Sequence, residues 1–432
     1  MTGVVLALVL LRFIHLNQSL WLDEATTAMV ALRYSIPQIV SVFSPTDFHP
    51  PFYYIFMHAW VGSVGSAEWM LRLPSVIFSL ITAWTLYKIG LLLKKRELGM
   101  GAALLFLANP LAVYYAQEAR MYMMATAFIT LALYCYLKRS HVFFAIFSFL
   151  ASVTFYGAYL FFASLIIYTA WRKKDLRRAI ILATGPLVAF VLSAPLLFAQ
   201  IEHASIRLEQ VKNWSLVLGK NELKNLLLIP LKFSVGRVSI MPKVLYYLLG
   251  GVWTLYTVYL VIRGSAKRTD WAWFLVGPIV FGIVLSFIAP MMQYFRFLYV
   301  LPLFCLLMAA GISSQRQLYT VVTILAAFTL YMVLSPSQLR EDWRGLAARV
   351  LHQPAVYMVY SASDPLAYYT PQVKVRDLLA IQTRPPRERQ IIVIPYVADI
   401  YGFPYQQELQ KLGYKKTAVE TVHNLTLERW QK

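Results

Sequence analysis

Acidic residues are scarce in this chain: its 432 residues carry 20 Asp and Glu against 40 Lys and Arg, a formal net charge of +20. Charged residues of both signs make up only 14% of the sequence, where a soluble domain carries about 25%. That shortage excludes an ordinary water-soluble globule. Cysteine is almost missing too. Cys135 and Cys305 both lie inside apolar runs, which implies no disulfide framework. A glycine-rich phosphate loop, a Gly-x-Ser-x-Gly elbow and a His-Glu-x-x-His zinc pair are all absent, and with them the chemistries those motifs carry. Met1–Leu16 lacks a clear basic start and a small-residue cleavage site, so it reads as a first membrane helix, not a cleavable signal. No internal repeat or low-complexity run is visible.

What the chain does have is apolar length. It is 59% hydrophobic with a mean hydropathy of +0.58, the composition of a polytopic membrane protein. Spanning segments of ~20 largely apolar residues are expected near Thr2–Leu16, Trp69–Leu93, Leu98–Val113, Met121–Leu137, His141–Thr154, Tyr156–Trp171 and Ala179–Ala199. Val244–Ile262, Trp271–Ile288, Phe297–Ile312 and Leu318–Leu334 bring the count to about eleven. The stretch opened by Pro50-Pro51, up to Val64, is too short and interrupted to cross, and is expected as a helix packed at the outer surface. Basic clusters at Lys94–Arg96, Lys138-Arg139, Arg172–Lys174 with Arg177-Arg178, and Arg263 with Lys267-Arg268 fall in every second loop. Cytoplasmic retention of Lys and Arg explains that spacing better than a nucleic-acid patch does, and membrane lipid phosphates are natural partners for the excess. The N-terminus is then inside. The loop at about 17–68, the Ile201–Pro242 loop and everything after the last helix are outside.

The chain changes character at Ser335. Residues 335–432 are expected to form a small extracytoplasmic α/β domain beside a membrane domain at 1–334. Its elements are an amphipathic helix capped by Ser337, buried strands at Ala355–Tyr360 and Gln390–Pro395, and a short Tyr405–Leu412 helix ended by Gly413.

Two polar knots interrupt the apolar segments. The first, Leu20 to Tyr54, holds Asp23, Glu24, Arg33, Asp47 and His49; the second runs Tyr114-Tyr115-Ala-Gln-Glu118-Ala-Arg120-Met-Tyr122. Asp23 could serve only as a first-turn acid that complements a helix dipole. Its company of Trp21, Glu24 and the His-Pro-Pro turn favours a general base, because partial desolvation raises a carboxylate's proton affinity. Glu118 could be a snorkelling helix end, yet an ionisable residue near a membrane interior is by default a site residue. On a continuous helix Tyr114, Glu118 and Tyr122 would share one face. Pro50 fixes an extended backbone that would hold the His49 imidazole in place, and Arg296 offers a planar fork suited to phosphate oxygens. Both residues could equally be simple terminators of a turn and a helix.

These motifs together resemble a known family. Ser19-Leu-Trp-Leu-Asp-Glu-Ala, Phe48-His-Pro-Pro-Phe-Tyr-Tyr, Leu71-Arg-Leu-Pro-Ser, Asn109-Pro with the second knot, and Arg296-Phe-Leu-Tyr-Val-Leu-Pro are similar to the bacterial GT-C glycosyltransferases. The relatives in question are grouped with dolichyl-phosphate-mannose protein mannosyltransferases and the lipid A aminoarabinose transferase. The resemblance is densest over residues 19–125, returns near 290–303 and reappears in Glu341-Asp342-Trp343-Arg344. It implies an all-α GT-C membrane domain in the cell inner membrane. It also implies an inverting transferase that takes a sugar from a polyprenyl-phosphate donor to a glycan, lipid or protein acceptor. Asp23 would be the catalytic base and Glu118 would help build the active site. Glu24, His49, Arg120, Tyr122 and Arg296 would meet substrate or donor phosphate, with His49 standing where the aminoarabinose transferase has Lys. No cofactor is required by the resemblance. Acidic residues in related enzymes sometimes support a divalent metal ion, but no His/Cys cluster here meets a zinc-site standard. The alternative is a transporter or flippase for lipid-linked sugars, against which the one-sided placement of ionisable residues and the lack of repeats both count.

Overall fold

The computed structural model describes residues 2–353 and 355–432. Most of the chain is helical, and the apolar stretches of the sequence become helices packed into one large core. By length and apolarity, five helices can cross a membrane: Glu68–Leu92, Leu176–Gln210, Lys243–Lys267, Tyr294–Gly311 and Gln315–Leu334. A bent pair, Arg96–Ala108 and Pro110–Ala116, makes a sixth. Tyr122–Lys138, His141–Thr154, Ala158–Arg172 and Thr269–Leu285 are apolar but 10–17 residues long, and 17 residues rise only about 25 Å. The eleven stretches expected from hydropathy therefore differ in kind. The first is helical only over Thr2–Leu10 before breaking into turns.

Other expectations shift at element ends. The supposed Ile201–Pro242 loop is mostly helix, since Leu176–Gln210 runs on through it and Leu223–Val235 follows. Pro186 and Pro195 lie inside that long helix. Phe52–Val64 is a helix packed on Leu22–Arg33, as its Pro-Pro start suggests. Close helix crossings rest on glycine: a Cβ on Gly264 or on Gly311 would stand 1.9 Å from the partner helix's carbonyl oxygen. Small residues are what let two backbones approach that closely.

The bend that shapes the site lies at Asn109-Pro110, where the two helix halves meet at 64°. Proline has no N–H to give the Phe106 carbonyl, and Leu111 N–H turns instead to Asn109 Oδ1 at 2.9 Å. The orphaned carbonyls are taken by other helices. Arg12 donates to Leu107 O at 2.9 Å and Phe106 O at 3.4 Å, and Thr329 donates to Ala108 O at 2.7 Å; Asn109 Nδ2 in turn ties the bend to another helix by donating to Phe233 O at 2.7 Å. Arg12 is fully buried and also reaches Ser79 Oγ at 2.9 Å. A lone guanidinium in the core is here a cap for a broken helix.

The tail from Pro336 folds on its own core around Trp343, Ile391, Ile392 and Trp430. Its sheet has β1 Val356–Met358, β2 Val375–Asp377, β3 Gln390–Val393, β4 Lys415–Val422 and β5 Leu425–Gln431, in the order β2-β1-β3-β5-β4. β1 is parallel to β2 and β3, while β5 is antiparallel to β3 and β4. The β4–β5 hairpin was not expected from the sequence, although His423-Asn424, both at positive φ, form the two-residue turn such hairpins favour. The helix expected from Ser337 begins instead at Trp343, capped by Asp342, which accepts from Gly345 N–H at 2.9 Å. That displacement frees Leu339 to Glu341 from helix and leaves Arg340 in an extended segment.

Arg12→Met should orphan the carbonyls at the bend and lower stability by roughly 1–3 kcal/mol, with Arg12→Lys recovering part of the loss. Thermal unfolding of the purified protein in detergent measures it; a wild-type melting temperature for Arg12→Met would show that the bend holds without this cap.

Candidate active site

Asp23 and Glu24 are neighbours on the first turn of the Leu22–Arg33 helix, and the structure treats them in opposite ways. Glu24 is fully buried. Arg72 grips it with two bonds, Nε to Oε1 at 2.8 Å and Nη2 to Oε2 at 2.6 Å. Ala119 N–H adds a bond to Oε1 at 2.8 Å, and Arg340 Nη1 stands 3.2 Å from Oε2. Burial alone would raise this carboxyl, but Arg340, Arg72 and the Ala119 amide outweigh it and hold it down to about 2. Arg72 is itself saturated by the Leu16, Gln18 and Ser19 carbonyls. Glu24 was grouped by the sequence with the substrate-binding residues. Its oxygens are spent on the protein, so it frames the site and does not reach into it.

Asp23 is free by comparison. Its side chain is 40% exposed, it caps nothing, and its one polar contact among the described residues is Arg120 Nη2 at 3.9 Å. The helix starts at Leu22 with Trp21 as an N-cap that makes no side-chain bond, so Asp23 sits in the first turn, where it complements the helix dipole as the sequence suggested, without capping an N–H. Nor is Asp23 the desolvated carboxylate of the pair of knots. That one is Glu118, 1% exposed, which burial pushes up to about 7 even though Arg340 stands 3.5 Å from Oε2.

The second knot is not a continuous helix. Pro110–Ala116 ends, residues 117–121 turn, and Tyr122–Lys138 begins. Tyr114, Glu118 and Tyr122 therefore do not share a helical face; the turn instead aims Glu118 at Arg340 and Arg120 at the first knot. Ser75 donates to the Glu118 carbonyl at 2.6 Å and Gln117 ties the turn to the Leu11 and Ile14 carbonyls. Arg120 Nη1 lies 3.3 Å from each of Asp23 O, Thr27 Oγ1 and Tyr54 OH. Tyr122 packs edge-on against Tyr115, Phe155 and Phe295.

His49 pairs with Asp47 at 3.4 Å and stacks on Phe155. Burial lowers its proton affinity, Arg120 and Arg296 add to that, and Asp47 opposes without prevailing. Near neutral pH it is therefore mostly an uncharged imidazole. Arg296 is half-buried and makes one bond, to Pro290 O at 3.3 Å, so most of its donors are uncommitted.

Three residues of the site were not picked out from the sequence. Arg72 was legible as a charge one turn inside a long apolar helix, a placement that needs a partner. Arg237, exposed after the Leu223–Val235 helix, donates to Tyr114 OH at 2.7 Å and lies 4.6 Å over that ring; Arg340 lies 4.6 Å from the same centroid. Neither arginine carried a signal in the sequence beyond its charge. Buried polar atoms without a protein hydrogen bond gather here as well: Trp21 Nε1, Tyr53 OH and Arg120 Nε are among them.

A solved structure similar to this chain is ArnT from Cupriavidus metallidurans in the apo state, with a TM-score of 0.59 at 14% sequence identity over 99% of this chain and 98% of that one. The chain has a GT-C fold. A second structure, ArnT from the same organism bound to undecaprenyl phosphate, is similar at a TM-score of 0.48, 14% identity and 99% and 97% coverage. The family described as GPI transamidase subunit PIG-U matches residues 34–230, less than half of the chain. No curated protein sequence matches significantly. No group of three or more His, Cys, Asp or Glu side chains that could hold a metal ion occurs among the described residues.

Glu118 gives a pH test. Its folded value is raised from the ordinary 4.5 to about 7, so its contribution is favourable below pH 4.5 and is lost as pH rises through 7. Glu118→Gln should therefore raise the melting temperature at pH 8 and change it little at pH 5. Equal effects at the two pH values would mean that Glu118 is not held near neutrality.

Proposed function

We propose that the protein is an integral-membrane glycosyltransferase that moves a sugar from a polyprenyl-phosphate donor to an acceptor hydroxyl, with inversion. The observation that carries this reading is the contrast at the first knot. Glu24 is locked by two arginines, while Asp23 stays 40% exposed with only a distant guanidinium beside it. A carboxylate kept free of bonds at a rigid site is suited to accept a proton. In the reaction the acceptor oxygen attacks the anomeric carbon as Asp23 takes its proton, and the sugar–oxygen bond to phosphate breaks. The leaving lipid phosphate is a stable anion and needs no strong acid. Arg296 and Arg237, neither of them paired with a carboxylate, are the cations fit to stabilise its charge, with Arg120, paired to Asp23 at 3.9 Å, beside them. One base with a leaving group on the opposite face implies inversion. The donor's lipid tail would lie against the apolar helices.

The PIG-U match supports a second reading, a subunit that holds a lipid-linked glycan for another protein's chemistry. Under either reading the site faces outward, in the inner membrane of the cell. The Lys94–Arg96 cluster follows the Glu68–Leu92 helix, so about 37 Å of helix separates it from the end that carries Arg72, in keeping with retention of Lys and Arg inside.

Sidedness is testable by cysteine labelling, since Cys135 and Cys305 are buried. With an impermeant reagent on whole cells, Lys374→Cys should label and Arg96→Cys should not; the reverse pattern would invert the topology.

For the chemistry, Asp23→Asn keeps the size and loses the base. Sugar transfer from a labelled polyprenyl-phosphate donor by the purified protein should fall by about 10²-fold or more with the melting temperature unchanged. A stable, fully active Asn variant would remove Asp23 from the mechanism, and wild-type protein that binds donor without transferring sugar would favour the subunit reading.

A further inference from the structure

The site's charge balance depends on a residue from outside the membrane domain. Arg340 follows the last long helix, in the extended segment before the tail's first helix. One face of its guanidinium covers Tyr114; one nitrogen lies 3.2 Å from Glu24 and the other 3.5 Å from Glu118. It is 6% exposed at the side chain, and its backbone N–H is fixed by Gln18 Oε1 at 3.0 Å. We infer that Arg340 is a positioning residue by which the tail domain holds the Glu24 and Glu118 carboxylates together and completes the site.

Two buried carboxylates side by side repel, and a shared guanidinium is the physical remedy. For Glu24 the remedy is redundant, because Arg72 and Ala119 N–H bind it as well. For Glu118 it is not: Arg340 is the one ion-pair partner it has among the described residues. The other charges facing Glu118 are Glu24 from the first-loop helix, Arg237 from beyond the Leu223–Val235 helix and Arg120 from its own turn. The hydroxyls of Tyr53, Tyr114, Tyr115, Tyr122 and Tyr294 surround it uncharged.

The tail is held where Arg340 needs it. Tyr369 accepts from Leu20 N–H at 2.8 Å, Thr26 donates to Asp364 at 2.7 Å, and Arg344 N–H donates to Ser19 Oγ at 3.0 Å. All three contacts flank Asp23 and Glu24 on the chain. Docking of the tail and closure of the ionic knot are thus one event, and transfer requires it.

The test is a pH titration of the full-length protein in nanodiscs by difference infrared spectroscopy, with the Glu118 carboxyl band assigned by its loss in Glu118→Gln. In wild type the transition should lie at about 7. Arg340→Gln should move it upward by about one pH unit or more and shift the pH profile of transfer in the same direction. Should Arg340→Gln not fold, Arg340→Lys decides: its point charge reaches one carboxylate, not two, so the transition still rises, by less. A wild-type Glu118 transition in a folded Gln or Lys variant overturns the proposal. The role in transfer rests on the glycosyltransferase reading, but the titration does not. A shifted Glu118 in a protein without transfer activity would retire that reading alone, and transfer with an unshifted Glu118 would retire this inference alone.

Discussion

One buried carboxylate organises the polar end of this molecule. Glu24 draws Arg72 from a membrane helix, Ala119 from the turn between two others, and Arg340 from the tail. Each partner belongs to a different part of the chain, so forming this one ionic knot fixes four segments against one another. A buried charge is tolerated only when every donor and acceptor around it is used, and here nearly all are. The penalty for loosening any partner makes the arrangement rigid. Rigidity at Glu24 is what allows Asp23, one residue earlier and turned the other way, to stay unbonded without wandering.

The second constraint is the break at Asn109-Pro110. A straight helix from Arg96 would carry its polar end away from the first knot. The 64° bend brings residues 117–121 back over it, at the cost of several backbone carbonyls without helical partners. Arg12 and Thr329 satisfy them. Arg12, Thr329 and Asn109 are therefore held in structural bonds, whereas Asp23 and Arg296 keep most of their polar atoms unbonded.

Much of this was legible in the sequence. Apolar runs marked the helices, and the two acidic knots marked the place where chemistry could sit, because such residues are costly near a membrane unless used. Periodicity misled at the second knot: four-residue spacing suggested one helical face, whereas Pro110 had already spent the helix and the chain turned at Gln117. The tail's first helix was set too early because Ser337 is a good cap in isolation, while Asp342 has the better-placed carboxylate. The partition of labour between Asp23 and Glu24 was beyond reach. Two adjacent acids look alike in a sequence, and only the long-range arrival of Arg72 and Arg340 distinguishes them.

Chain order gives the Arg340 contact a further meaning. Gln18 and Arg340, which touch, are separated by 322 residues, and contacts of such separation form late because a long loop must close first. During synthesis every membrane helix is made before Arg340 exists. Until then Glu24 and Glu118 face each other without their common counter-ion, and the polar centre has reason to stay open. A chain that stopped short of Arg340 would leave Glu24 and Glu118 without the guanidinium they share, so the two knots are tied together by a residue more than two hundred positions further on.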